Sequence, residues 1–286
     1  MTVTGRWYAP LLSPRRRRLW VARLSALVLM VLWMVPILWM IATAVKPDSE
    51  IFTLPPRWIP SHITLKHIQA VVQDWPFLRW VLNSVVVAGG ATALSLILSV
   101  PAAFSFARLR WRGRNAVFIA FIAAMMIPWQ VNVVPLYFLM NRLKLLNTYA
   151  AVILPISAMP IGVFLLRQFF INIPGELEDA ARMDGCGSLG VLLRIILPNS
   201  RPALVALGIY MFIFSWNEFF WSMIALQRPH LLTLPIGLKA LQGAYDIDYG
   251  LLLAAAFLAS LPVLFVFLLL RQRVIRGMAL TAGIKG

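Results

Sequence analysis

The residues able to do chemistry are few and fall in two places. One is the stretch ELEDAARMDG, Glu176 to Gly185, where Glu176, Glu178, Asp179 and Asp184 surround the small side chains Ala180 and Ala181. Its first three acids are spaced for the opening turns of a helix, where carboxylates meet the positive helix end. The other is Glu218, flanked by Trp216 and Asn217 inside an otherwise uncharged run. Other chemistry is thinly represented. His62, His67 and His230 have no second histidine or carboxylate placed with them on one helix face, so no metal site is expected. Cys186 is the single cysteine, which excludes an intrachain disulfide and a thiolate zinc cluster. Gly185, Gly187 and Gly190 spell a G-x-G-x-x-G that follows a helix rather than a strand, and so reads as a turn. No G-x-x-x-x-G-K-[ST] occurs, so this chain does not supply a phosphate-cradling loop. No catalytic residue and no bound cofactor are assigned.

The elements that position these residues are membrane spans. The 286 residues are 61% hydrophobic and 13% charged, more apolar surface than a soluble domain of this length can bury. The formal charge of +16 is spread between apolar runs and forms no continuous basic face, which argues against nucleic acid. Runs long enough to cross about 30 Å of hydrocarbon predict six spans, near residues 24–45, 80–107, 115–141, 145–166, 202–227 and 249–270. Together they make a transmembrane unit over 24–270, preceded by a basic segment (1–23) and followed by a tail (271–286). The first span is too long for a signal-peptide core and no small-residue cleavage site follows it, so it is expected to be retained. With the N-terminus inside, eighteen Lys and Arg face the cytoplasm and eight face outward. That asymmetry predicts a multi-pass protein with both termini cytoplasmic. The outer segment Lys46–Arg79 is rich in Pro and Trp and is expected to be a partly ordered cap.

The cytoplasmic segment 171–200 reads as helix, turn, helix. Asn172 is a candidate cap and Pro174 a first-turn residue. Gly185 is placed to stop the first helix in a left-handed turn. Ser188 is a candidate cap for a second helix, Leu189 to Leu197, with Pro198 as its terminator. The small alanine face permits close docking of a partner. For Glu218 two readings fit. One is a polar group on a solute path, where amide and carboxylate meet hydroxyls and Trp216 packs on C–H faces. The other is a structural lock between helices or near the outer headgroups. Pro128, Pro135, Pro155 and Pro160 are expected to kink the third and fourth spans. Trp7, Trp20, Trp58, Trp75, Trp80 and Trp111 suit interfacial anchoring, and Trp129, Trp216 and Trp221 are easily mistaken for solute stackers. PRRRRLWVAR reads as a topology signal and an anionic-lipid contact.

The run DAARMDGCGSLGVLLRIILP fixes an acidic-Ala-Ala, Gly185, Ile195, Leu197 and Pro198 over 20 positions. It resembles the EAA loop of the membrane subunits of bacterial ABC importers. The name-giving acid is the shorter Asp179 here, with Glu178 before it. The segment NSVVVAGGATALSLILSVPAAFSFARLRWRGRN, the FIFSWNEFFW of the fifth span and the GMALTAGIKG ending are similar to the carbohydrate branch, whose members include the second permease subunit of maltose transporters. The resemblance implies an all-α integral membrane protein with the type I ABC importer permease fold and a cytoplasmic coupling helix. It implies that Glu178, Asp179, Ala180, Ala181, Asp184, Gly185, Ile195, Leu197 and Pro198 couple to ATPase subunits, and that Trp216, Asn217 and Glu218 line the solute path. It further implies two ATP-binding subunits that carry ATP and Mg, a second homologous permease, an extracytoplasmic sugar-binding protein and a di- or oligosaccharide substrate in the bacterial inner membrane. Asp74, Trp75, Asp246 and Asp248 are candidates to meet that binding protein, although exposed outer carboxylates are more often only solvated.

Two other classes compete. A secondary transporter is disfavoured by a lone intramembrane carboxylate and the lack of an inverted repeat. A membrane enzyme is disfavoured by the lack of a His/Asp/Glu constellation near an interface. Within the transporter reading, a polyol or glycerol phosphate stands beside the sugar.

Overall fold

The computed structural model describes residues 14–243 and 247–283, with side chains described for 18–243 and 247–269. The expectations placed on Trp7, on Asp246 and on the side chains of the 271–286 tail lie outside the described residues. The described part is helical throughout and has no strand. The helices are α1 (Pro14–Ala44), α2 (Lys66–Gln73), α3 (Phe77–Arg108), α4 (Arg114–Met125), α5 (Val133–Arg142), α6 (Tyr149–Ser157), α7 (Ile161–Ile171), α8 (Glu176–Met183), α9 (Ser188–Val191), α10 (Leu197–Asn199), α11 (Arg201–Trp216), α12 (Phe220–Ala225), α13 (Leu234–Ala240) and α14 (Tyr249–Gly283).

Four stretches are long and apolar enough to cross a bilayer: Arg18–Ala44, Phe77–Arg108, Tyr149–Ile171 and Tyr249–Leu269. The third expected span, 115–141, is two helices bent by 95° around Pro128 and the 3-10 turn Trp129–Asn132. The fifth, 202–227, is also interrupted, because α11 stops at Trp216 and α12 starts at Phe220. Such breaks leave main-chain polar groups outside regular helix, which at membrane depth is tolerated only where the backbone lines a cavity or packs on protein.

Helix α3 is the centre of the bundle. Ala88, Ala91, Ser95, Ser99 and Ala103 recur every three or four residues along it and are all buried. That makes one narrow stripe of small side chains, so neighbouring backbones approach closely. Helices α6, α7 and α11 pack along it. The approach of α7 requires glycine, since a Cβ at Gly162 would collide with the Ser99 hydroxyl. Van der Waals contact then supplies the cohesion that hydrophobic burial cannot supply in lipid.

Helix α1 behaves differently. Its side chains are exposed from Arg18 to Leu38, and only its outer end enters the bundle, against α14. The outer cap follows. Glu50 accepts from Ser61 N at 3.0 Å and from Arg57 at 3.4 Å, which ties the Pro-rich loop into one unit. Asp48 pairs with Lys66, and the buried His67 ring places Nε2 3.1 Å from Lys46 O and 3.2 Å from Asp48 Oδ1. Asp74, Trp75 and Asp248 lie in this outer region, and the Asp248 carboxylate accepts from Leu251 N at the start of α14. Among the described residues no cluster of His, Cys, Asp and Glu is able to hold a metal ion.

Candidate functional site: an inner docking loop and a polar break

Helix α7 ends at Ile171, and Asn172 belongs to that end. Its amide donates to Gln168 O at 2.7 Å, so it closes α7 instead of opening α8. Gly175 precedes α8 as the cap residue, and Pro174 lies before it, outside the first turn where the sequence placed it. The three acids Glu176, Glu178 and Asp179 do open the helix, with Arg182 in its last turn, both matched to the macrodipole.

Gly185 stops α8 at φ +83°, the left-handed conformation that favours glycine. Its N–H donates to Arg182 O at 3.0 Å, and Cys186 N donates to Ala181 O at 2.9 Å. This pair of bonds is a Schellman turn and satisfies two of the last helix carbonyls. Ser188 is the first residue of α9 rather than its cap, which is Gly187. Pro198 does not terminate the second helix. A π turn, Leu192–Ile196, precedes it, and the helix continues to Asn199. The wider π turn shifts the carbonyl that the proline ring would otherwise strike. The chain then bends by 78° at Ser200 into α11.

The loop therefore has two faces. Glu178, Ala181, Val191, Leu192 and Ile196 are buried, and Ile195 and Leu197 are half-buried against the bundle. Leu177, Asp179, Ala180, Met183, Asp184, Leu189, Leu193 and Pro198 are exposed, Met183 to 88%. Of the two alanines only Ala180 is open to a partner. Glu178 points inward: its Oε1 lies 2.8 Å from Arg108 Nε at the end of α3. The N–H is not aimed along that line, so the contact is an ion pair rather than a directed hydrogen bond. The same guanidinium donates through Nη2 to Phe170 O and Ile173 O. Sequence reasoning missed Arg108, because the partners lie 62 to 70 residues away and no local pattern marks them.

The second region is the break between α11 and α12. Glu218 is buried, and its carboxylate accepts from Trp221 N and Ser222 N, each at 2.8 Å, and from Ser222 Oγ at 2.6 Å. It caps α12 from the preceding turn. The lock that holds it is thus local, made by donors from the next turn rather than by a partner on another helix. Trp216 is buried and stacked on Phe212 with centroids 5.7 Å apart. Trp221 is fully buried and donates Nε1–H to Ala151 O at 2.8 Å. Both indoles are largely buried, and Trp216 with Asn217 contributes to the lining of a concavity of about 530 Å³. Asn217 is exposed, with its amide donated to Ile213 O at 2.8 Å.

A concavity of about 550 Å³ opens beside this break, lined by Trp129, Gln130, Tyr210, Phe214, Asn217 and Phe220 together with an edge of Glu218. A second, of about 530 Å³, shares Trp129 and Tyr210 and extends along the bend past Asn132, Pro155 and Pro160. No lysine or arginine lines either one. Trp129, Gln130 and Tyr210 escaped the sequence reading as lining residues. The proline-broken third and fourth spans were the signal that pointed there.

The site is thus a polar helix pair clamped to one end of a bundle of broken apolar helices. The family of binding-protein-dependent transport system inner membrane components matches residues 95–279, and the chain belongs to that family. It is 32% identical over 272 residues to the diacetylchitobiose uptake system permease protein DasC of Streptomyces coelicolor, covering 94% of this chain and 98% of that one. It is 35% identical over 254 residues to the arabinooligosaccharides transport system permease protein AraQ of Halalkalibacterium halodurans, covering 88% and 91%. Its fold matches a chain in the crystal structure of a bacterial ABC transporter that imports the acidic polysaccharide alginate, with TM-score 0.81 and 21% identity over 92% of this chain and 99% of that one. The resemblance to carbohydrate ABC importer permeases is thereby confirmed, and with it an all-helical, multi-pass permease fold.

Proposed function

We propose that this chain is the permease subunit of an ATP-driven importer for a di- or oligosaccharide. The observation that carries the reading is the outward face of the loop. Leu177, Ala180, Met183, Leu189 and Leu193 present apolar surface beside the carboxylates of Asp179 and Asp184. Exposed apolar surface rimmed by charge marks a protein contact. The occupant is a pair of ATPase subunits, which carry ATP and Mg. ATP-dependent closure of the ATPases moves the loop, and the loop moves the spans between inward-open and outward-open states. The solute's differential interaction with those states, together with hydrolysis, sets direction. A second homologous permease completes the path, and an extracytoplasmic binding protein delivers the sugar. Both termini lie in the cytoplasm in this arrangement.

The solute meets the wall formed by Trp129, Gln130, Tyr210 and Asn217. Aromatic faces accept sugar C–H groups, and amide and phenol groups accept hydroxyls. The absence of Lys and Arg from that wall favours a neutral polyhydroxylated solute over a phosphorylated one, since a buried phosphate needs charged partners. The test is co-purification of the tagged chain from its native membrane, with ATP hydrolysis assayed on the eluate. Wild type is expected to bring ATPase subunits with it, and Ala180→Arg to lose them. Equal recovery with both would overturn the docking reading. Uptake competition then ranks neutral oligosaccharides above glycerol phosphate.

A further inference from the structure

We infer that Arg108 is a positioning residue that makes α3, α7 and α8 move as one body, so that the loop drives the bundle through its entry side. Three observations meet there. Arg108 closes α3 and is only 15% exposed. Its Nη2 caps two carbonyls, Phe170 O near the end of α7 and Ile173 O beyond it. Its Nε faces the carboxylate of Glu178, the third residue of α8, itself 9% exposed. Removing one partner from such a pair leaves a buried charge uncompensated, so the geometry is strongly held. The hold is returned from the other side. Arg167 on α7 donates Nε–H to Phe106 O on α3 at 3.2 Å and lays its guanidinium 3.9 Å from the Phe118 centroid of α4. Two arginines thus staple α3 to α7 in opposite directions, directly below the Gly162–Ser99 contact.

A lysine at 108 keeps the charge but loses the fork that reaches two carbonyls and a carboxylate at once. Among the described residues no comparable staple holds the exit side. There the chain passes through a π turn and a sharp bend, and Ser200 Oγ is buried without a side-chain partner among the described residues.

The inference rests on the docking reading of the loop, and two readouts separate them. The first is a spin-label distance between Leu177→Cys and Arg110→Cys in the full chain with Cys186→Ser. It needs no ATPase. The second is solute moved per ATP by the complex purified from its native membrane. With Arg108 and Glu178 intact the label distance is single and narrow. Glu178→Gln, which changes little but charge, is expected to broaden it. The same substitution is expected to lower solute moved per ATP about tenfold, within the range of coupling changes at positions that touch neither ligand, while ATPase subunits still co-purify. Arg108→Lys does the same. A narrow distance or an unchanged ratio in Glu178→Gln overturns the inference. Loss of ATPase subunits in Ala180→Arg with a narrow distance supports docking and tether together. Retention of them defeats the docking reading alone, and the label width still decides the tether.

Discussion

The two arms of the loop over 171–200 are built to opposite standards. The entry arm runs from α7 into α8 over a short linker, with its carbonyls held by Arg108 and its acid paired to the same side chain. The exit arm runs from α9 through a π turn and α10 to a 78° bend before α11. The first is stapled to the centre of the bundle. The second keeps its helical path with a register shift and turns at a serine. A π turn in a helix is a common mark of a functional joint. The difference is mechanical: under the proposed docking a partner would push on a loop that is stapled on one side and bent through a π turn on the other. Under that proposal force would enter through α3 and α7, and α11, which packs along α3 and carries the polar break, would receive it through that contact.

Breaking the junction between the arms has the largest expected effect. Gly185→Pro places a ring fixed near φ −65° where φ is +83°. It removes the N–H that bonds Arg182 O as well. The cost is ~3 kcal/mol or more, and ATP-driven uptake is expected to fall by about two orders of magnitude, measured in membrane vesicles. Gly162→Val attacks the base of the entry arm. Overpacking against Ser99 costs about 1–3 kcal/mol and is expected to lower the thermal midpoint of the purified complex. Glu218→Gln acts at the far end of the exit arm. It weakens the cap of α12 by about 1 kcal/mol and is expected to lower thermal stability while leaving half-saturation for solute unchanged. A raised half-saturation would instead give Glu218 a place at the solute. Pro198→Ala sharpens the comparison from below. The π turn already accommodates the ring, so stability is expected to shift by less than about 1 kcal/mol.

The outer cap gives the smallest effect and a control. Lys66 beside Asp48 holds that carboxyl below its ordinary range, and hydrogen bonds from Ser61 do the same for Glu50. Burial pushes the Lys46 ammonium down, with Glu50 opposing. Depressed carboxyl values stabilise the fold above the ordinary carboxylate range, and that contribution is lost as pH falls through the lowered values. Hydrogen exchange in residues 48–66, corrected for its intrinsic pH dependence, is expected to rise between about pH 5 and pH 3. A rise confined to the cytoplasmic arms would contradict this assignment.

Much of this was legible in residue patterns. Apolar runs marked the spans, and first-turn acids and Gly185 marked α8. What was not legible depends on distant partners. Asn172 and Ser188 are good caps by type, yet Asn172 sits one turn from Gln168 and closes the helix it follows. Pro198 ends helices as a rule, and a π turn ahead of it lifts the rule here. Glu218 looked costly in an apolar run until three local donors satisfied it. Arg108 was one basic residue among four in its loop, and only the fold shows that its side chain turns inward.

The most direct test of the central claim is uptake by the purified complex in sealed vesicles, with and without ATP on the side of the loop. The account predicts accumulation of a neutral oligosaccharide that requires ATP and the binding protein, and that Ala180→Arg abolishes. Uptake by this chain alone, driven by a proton gradient and indifferent to Ala180→Arg, would contradict it.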